Sequence, residues 1–473
     1  MMWRLHQNAF LLLLAGGIRV ASGFAVAVLL GRFYGAEGLG TFGLFSALYL
    51  IAFTGAGSGL KPLISRDVAR KPEQTGAYLT HSLALGLFLS LILAVILALG
   101  AIALGILHLR NGLPLLLLWV GAGVTAHIAE GVFTAHERQL VPALGSLLDA
   151  ALKLIGVGWA IASRQPLEEA VMTVILARIA STALLLYGLY RQFGITWRPL
   201  ERPLLLQIAR TYWVFAAIST ASILFWQLPI LLLGVFASPT QAGHFYAAQR
   251  FFDALILIAL SYTTSLQPAL SKLYPDQLSE FISLCHKTTR MLVFLLLPIV
   301  ITGILGAEII VLTLYGPKFS DTIPLLRLWL GVLFFNSWNL IQANALVAAG
   351  LEKLDMISNL LSLGLLTALG ITLTPLYGPT GAAVSVFIGI TFFFFVEYGF
   401  LRRHLFNWKI RYLLPIPIVV ANGVLALNLW TALWKGFVSI SWLAMVGMMS
   451  YGMSLLLWSL LLTLGRYIRW PSP

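Results

Sequence analysis

Apolar runs of twenty residues or more follow one another along the chain, each ended by a short polar or Gly/Pro-containing stretch. A membrane-spanning helix needs roughly 20 mostly apolar residues. On that basis the pattern predicts spans near 8–31, 39–60, 78–107, 113–136, 142–163, 168–190, 208–235, 243–268, 288–315, 322–348, 356–375, 379–400, 413–432 and 441–464. The prediction is an all-α polytopic membrane protein of about 14 transmembrane helices. The longest connection runs from Arg191 to Arg210, so no loop is long enough for a folded domain. The first run, behind Arg4, is laid out like a signal peptide, but apolar sequence continues through Leu30 without a convincing cleavage site, which predicts a span.

An internal repeat organises these spans. Gly31-Arg32-Phe33 followed by Gly40-Thr41-Phe42 returns as Gly234-Val235-Phe236 followed by Gly243-His244-Phe245, every shared position displaced by 203 residues. Each copy lies in the turn joining the first two helices of a six-helix block. Six is even, so the blocks share an orientation, the parallel arrangement in which transporters place a substrate path between repeats. The expected organisation is an N-terminal six-helix lobe over 1–200, a C-terminal six-helix lobe over 201–410 and an additional two-helix pair over 411–473.

Composition removes several function classes. Of 473 residues 59 % are apolar and 10 % charged, against roughly 45–50 % and about 25 % in soluble domains. That excludes a sizeable soluble ATPase or glycosyltransferase domain. The net charge of +13 sorts by membrane side: of 30 Lys and Arg, twenty fall on the side of the N-terminus, five on the other (Arg32, Arg110, Arg164, Lys318, Lys435) and five inside spans (Arg19, Lys153, Arg178, Arg250, Arg327). The positive-inside rule then predicts both termini in the cytoplasm, and the charge calls for no nucleic-acid partner. Cys285 is solitary, which excludes an intrachain disulfide and a cysteine metal centre. There is no Gly-Lys dipeptide for a P-loop, no H-E-x-x-H and no G-x-S-x-G, so the expected chemistry is binding and the chain is not expected to be an enzyme.

Four segments carry a family resemblance: Gly31-Arg32-Phe33-Tyr34-Gly35-Ala36-Glu37-Gly38-Leu39-Gly40 with the stretch Gly55 to Arg70; Ala242-Gly243-His244-Phe245-Tyr246-Ala247-Ala248-Gln249-Arg250; Leu314-Tyr315-Gly316-Pro317-Lys318-Phe319; and Pro375-Leu376-Tyr377-Gly378-Pro379-Thr380-Gly381-Ala382-Ala383. In this order, across roughly residues 8–403, the chain resembles the Wzx-type oligosaccharide flippases of the MOP superfamily, relatives of the MurJ lipid II flippases and MATE exporters. The resemblance implies two pseudo-symmetric six-helix lobes around a central cavity, with two extra C-terminal helices. It further implies alternating access that moves an undecaprenyl-diphosphate-linked oligosaccharide, of the kind used for lipopolysaccharide O-antigen, across the bacterial inner membrane. Implied partners are membrane lipids and the polysaccharide polymerase and chain-length proteins. No cofactor is implied; energy would come from a proton or sodium gradient, membrane potential or downstream glycan consumption. One departure counts: members often carry an acid in the first helix of the second lobe, whereas this chain has Gln227 and Pro229 there and no Asp or Glu over 202–249.

A charge facing lipid at mid-helix costs roughly 2.5–3.5 kcal/mol on insertion scales, so the bases within spans are expected to face a cavity or a partner. A diphosphate suits them, gripped bidentately by Arg and as a point charge by Lys. Arg19 has no acid within a helical turn and serves either a cavity or an interhelical partner; Arg178 is likewise locally unpaired. Arg250 and Asp253 share a helix face and form either an ion pair or a substrate contact; Asp149 and Lys153, at i,i+4, have the spacing of an intrahelical pair. Lys61 and Arg66 lie at the cytoplasmic mouth of the second span, placed to draw in a phosphate or to anchor topology, while Arg327 can snorkel to the interface. His127 and Glu130 are a His/carboxylate pair that, with Asp149, could carry a coupling proton or make a structural contact. Asn336, Asn339 and Gln342, joined by Asn344, form a polar strip for sugar hydroxyls or for helix association. The competing functions are lipid II transport, MATE-type drug export, which suits an acidic cavity rather than these bases, and a membrane polymerase, which the short outside loops oppose.

Overall fold

A computed structural model describes residues 2–106, 112–194, 198–263 and 266–407; the expected pair at 413–432 and 441–464 lies outside them. Thirteen α-helices are found among the described residues: α1 (Met2–Gly57), α2 (Leu60–Arg70), α3 (Thr75–Ala103), α4 (Gly112–Ala135), α5 (Leu140–Ala162), α6 (Leu167–Phe193), α7 (Arg202–Phe236), α8 (Pro239–Thr263), α9 (Leu266–Leu273), α10 (Leu278–Leu305), α11 (Ala307–Leu314), α12 (Thr322–Ala348) and α13 (Glu352–His404). Nine helical stretches among the described residues are long and apolar enough to cross a membrane. Two of them, Leu11–Arg70 with 60 residues and Glu352–His404 with 53, have length for more than one crossing. The chain is a multi-pass helical membrane protein. α12 coincides with the predicted span 322–348 but falls outside the nine, because Asn336, Asn339, Gln342 and Asn344 lower its hydropathy.

Three predicted boundaries move, each at a glycine. Spans 8–31 and 39–60 are the two arms of α1, separated at Gly35 (φ 73°, ψ −173°), and spans 356–375 and 379–400 are the arms of α13, separated at Gly378 (φ 55°, ψ −132°). Both conformations belong to a region that side chains exclude, so glycine breaks the helix without a loop. Predicted span 288–315 divides into α10 and α11 at Gly306.

The chain forms two compact units, Met1–Arg250 with Leu366–Ser385, and Phe251–Leu365 with the chain from Val386. In the first, α1 packs on α3, α4, α5 and α7, and α4 on α2, α3 and α6. Its packing follows the logic of a lipid solvent, where helices gain little from hiding apolar surface and approach through small residues. On α3 the buried stripe is Ser82, Gly86, Ser90, Ala94, Ala98 and Ala101, while Phe88, Leu91, Ile96, Leu99 and Ile102 point outward. In the second unit α12 packs on α9, α10 and α11, around Phe252, Phe281, Phe319 and Trp329.

The closest backbone approach in the first unit joins the two copies of the sequence repeat. A Cβ on Gly40 would meet the carbonyl oxygen of Pro239, and one on Gly243 the carbonyl oxygen of Ala36. These contacts exchange under the 203-residue shift, since 36 maps to 239 and 40 to 243, and Gly43 against Tyr246 maps onto itself. The second arm of α1 and helix α8 therefore cross at a pseudo-two-fold point that only glycine permits. Gly243→Ala is expected to lower the melting temperature and membrane yield, since inserted methyls cost about 1–3 kcal/mol even where side chains can yield and here backbone must part. Gly100→Ala, in open space on α3, should leave both unchanged. Equal melting temperatures for the two variants in detergent would contradict the crossing.

Candidate functional site

The first unit buries a cluster of charges contributed by five helices. At its centre is Glu130, near the end of α4, with 6 % of its side chain exposed. Lys61 of α2 places Nζ 2.7 Å from Glu130 Oε2, and Arg19 of α1 places Nη1 3.8 Å from Oε1. Local sequence explains both reaches. α1 ends at Gly57 and the chain re-enters helix at Leu60, which turns the first side chains of α2 onto α4, where Gly131 lies against the Lys61 backbone. His127, one turn before Glu130, holds Nδ1 at 3.9 Å from Oε2, too far for a hydrogen bond, and stacks edge-on against Phe53.

A second pair continues the cluster. On α5 Lys153 Nζ lies 2.6 Å from Asp149 Oδ2, the expected intrahelical contact. Arg178 of α6 lies close enough to the carboxylates of Asp149 and Glu130, and to Tyr49 on α1, to interact with all three electrostatically. Its Nε and the Oδ1 of Asp149 are buried without hydrogen-bond partners among the described residues. Tyr49 is fixed by stacking on Trp119, with ring centroids 4.1 Å apart. Four bases, Arg19, Lys61, Lys153 and Arg178, thus surround two acids and leave a net charge of +2 with His127 neutral. Exposure is uneven: the side chain of Arg19 is 40 % exposed, that of Lys61 25 % and that of Lys153 14 %. Arg19 is therefore the base of the cluster with donors left over for a ligand.

Several sequence expectations resolve here. Arg19 has its acid after all, supplied by another helix and so invisible in its own turn. The pair His127 and Glu130 is not self-contained, because Lys61 takes the carboxylate. Lys61 and Arg66, paired in the sequence reading, point apart: Arg66 binds its neighbour Asp67 at 2.7 Å and stays exposed, outside the cluster. Arg250 lies elsewhere, over the ring of Tyr246 at 4.3 Å from its centroid, and Asp253 sits further along α8. Asn339 ties α12 to the second arm of α13 through Nδ2 to the carbonyl of Ile390 at 3.3 Å, while its Oδ1 and Gln342 Oε1 find no partner among the described residues. Asn336 is buried beside them on α12. Arg327 bonds the Ile304 carbonyl at 3.2 Å. Two features were missed. Tyr49 carries no charge to single it out, whereas Glu397, wholly buried in α13, is an acid inside a predicted span and was legible by that sign.

The family described as polysaccharide biosynthesis protein matches residues 5–274. Among solved structures the chain is similar to a lipid II flippase MurJ in an inward closed conformation, with TM-score 0.74 and 14 % identity over 93 % of this chain and 96 % of that one. It is also similar to an inward-facing multidrug resistance MATE family transporter of the MOP superfamily, with TM-score 0.65 and 17 % identity over 82 % and 94 %. A third is a MOP superfamily transporter from Pyrococcus furiosus described as having a binding pocket of reverse polarity, with TM-score 0.59 and 16 % identity over 84 % and 94 %. No curated protein sequence matches the chain.

Glu130 predicts a measurable coupling. Glu130→Gln leaves Lys61 without its anion and should lower stability, Lys61→Met should do so less, and the double variant should recover part of the loss. The cycle is expected to give an interaction of about 0.5–3 kcal/mol, read from denaturant or thermal unfolding in detergent. Additive effects would contradict the contact.

Proposed function

Since the chain belongs to the polysaccharide biosynthesis protein family, matched over residues 5–274, we propose that it is a transporter of lipid-linked oligosaccharide. The carrier is undecaprenyl diphosphate, and the lipid crosses the bacterial inner membrane by alternating access, with both termini cytoplasmic. The lobes over 1–200 and 201–410 are the halves that alternate. The observation that carries this reading is the Glu130 cluster. A permanently charged guanidinium that is 40 % exposed within a transmembrane helix does not face hydrocarbon, where it would cost kilocalories; it faces water and whatever anion enters.

The arrangement does three things for a diphosphate. Glu130 offsets part of the repulsion among the bases, so that four of them occupy one region without a bound anion. The residual +2 attracts a multiply charged head group across low-dielectric surroundings. Arg19 offers a planar fork to phosphate oxygens, and Lys61, mobile on its stem, can exchange Glu130 for phosphate. Affinity for the lipid then resides in its head group, which is common to many glycans. Polymerase and chain-length proteins would receive the product on the far side.

A second reading, transport of lipid II, is favoured by the similarity to the MurJ fold; it shares the diphosphate and differs in the sugar. Export of cationic drugs is disfavoured by the sign of the cluster.

Disrupting the gene should remove or shorten a surface glycan on a gel; an unchanged glycan together with raised sensitivity to cationic dyes would overturn the proposal. Arg19→Ala should reduce glycan export about 10-fold or more at unchanged membrane abundance, since a charge-assisted hydrogen bond contributes about 1.5–3 kcal/mol. Arg19→Lys, which keeps the charge and loses the fork, should fall between. Full export by Arg19→Ala would remove Arg19 from the site.

A further inference from the structure

At the end of the first unit where α1 and α5 begin and α4 and α6 finish, the helices leave a cavity of about 540 Å³. That is the size of a small-molecule pocket, and none of its lining residues belongs to the Glu130 cluster. Its polar side chains are Arg138 and Gln139 in the turn from α4 to α5, Asn8 of α1 and Gln192 of α6. The first helix holds that turn in place. Asn8 Nδ2 donates to the Glu137 carbonyl at 2.7 Å, and the Gln139 N–H reaches Asn8 Oδ1 at 3.4 Å.

Arg138 is exposed and carries the only formal charge in the lining. Its guanidinium lies over the ring of Phe193, 5.3 Å from the centroid, with Nη1 at 3.4 Å from Gln192 Oε1. These contacts orient the group without neutralising it, and no carboxylate pairs with it among the described residues. Leu140 and Val141, which complete the wall, are the first two residues of α5, a helix whose N-cap side chain makes no capping bond. Their N–H groups belong to the unpaired first turn, where the helix dipole favours an anion. A guanidinium with spare donors, facing these amides across one cavity, is chemistry for a phosphate.

The surroundings say which kind of phosphate. Tyr187 and Tyr190, in the last two turns of α6, are largely exposed, and exposed tyrosines near the end of a spanning helix mark the lipid–water boundary. The cavity thus sits at the depth of lipid head groups. From its rim Leu140, Leu144 and Leu147 form an exposed apolar stripe along one face of α5, leading away from Arg138 toward the middle of the helix. A free anion has no use for such a track; an acyl chain does.

We propose that this cavity binds the head group of an acidic membrane phospholipid, as basic pockets between transmembrane helices do. Arg138 takes the phosphate, the first N–H groups of α5 and the Gln192 amide take the remaining head-group oxygens, and an acyl chain lies along Leu140, Leu144 and Leu147. Such a lipid is a resident and not a cargo. It braces the start of α1 against α5 and α6 at the one end of these helices where a cavity separates them.

Native mass spectrometry of the purified full-length protein, mixed with phosphatidylglycerol or with phosphatidylcholine of the same acyl chains, reads the site without any glycan, so its outcome is independent of the transport reading. Phosphatidylglycerol should bind more tightly and raise the melting temperature in detergent. Arg138→Ala should weaken that binding about 10-fold or more and leave phosphatidylcholine unaffected. Gln192→Glu, which sets a carboxylate where Arg138 already reaches, should do the same at an unchanged lipid-free melting temperature, and it tests the site even where Arg138→Ala fails to fold. Arg19→Ala should bind phosphatidylglycerol as the wild type does. Equal binding of the two lipids, or wild-type binding by Gln192→Glu, would overturn the site. Inorganic phosphate binding as tightly as phosphatidylglycerol would make it a free-anion site, and undecaprenyl phosphate displacing phosphatidylglycerol at equal concentration would make it a cargo site; either result overturns the proposal.

Discussion

A charge inside a hydrocarbon layer has to be met by an opposite charge or by water, and most of the polar organisation of this protein follows from that one constraint. With 10 % charged residues in 473, nearly every base and acid within a helix has been placed. Glu130 shows the consequence most directly: buried on α4, it draws Lys61 and Arg19 from two other helices to within 2.7 and 3.8 Å. Asp149 and Lys153 settle the same requirement within one helix. The bases outnumber the acids, and the remainder has to be answered by solvent or by a ligand. Arg19 is the most exposed of the three bases that touch these acids.

The same solvent dictates the packing. Large apolar side chains on α3 face outward and its small residues face α4, which inverts the arrangement of a soluble helix. At the crossing of α1 and α8 the principle reaches its limit, because Gly40 and Gly243 let two backbones touch. Those are two of the residues that carry the internal repeat. A sequence similarity at a spacing of 203 residues is thus preserved for a mechanical reason: each copy supplies one side of a contact that maps onto itself.

Much of the fold was legible because hydropathy over twenty residues is a coarse and strong signal; α4, α5, α6 and α12 lie within a few residues of their predicted spans. The helix continuity of α1 and α13 was not, since Tyr34-Gly35 and Tyr377-Gly378 read as turns and are instead single-residue breaks. At the site, Arg19, Lys153, Arg178, Glu130 and Asp149 could be listed from the sequence by the cost of charge in a membrane. Their partners could not: helical spacing finds Asp149 and Lys153, but the contact of Lys61 with Glu130 spans 69 residues and depends on the turn at Gly57. Tyr49, near Arg178, carries no charge and gives no sign in composition. Glu397 gave the sign, an acid within an apolar run.

The central claim is that the residual positive charge of the Glu130 cluster recognises the diphosphate of a lipid carrier. Native mass spectrometry of the purified protein with undecaprenyl diphosphate, undecaprenyl monophosphate and undecaprenol tests it most directly. The account predicts binding in that order of strength, competition of the diphosphate by inorganic pyrophosphate, and collapse of the order in Arg19→Ala. Equal binding of the uncharged undecaprenol and the diphosphate would contradict it.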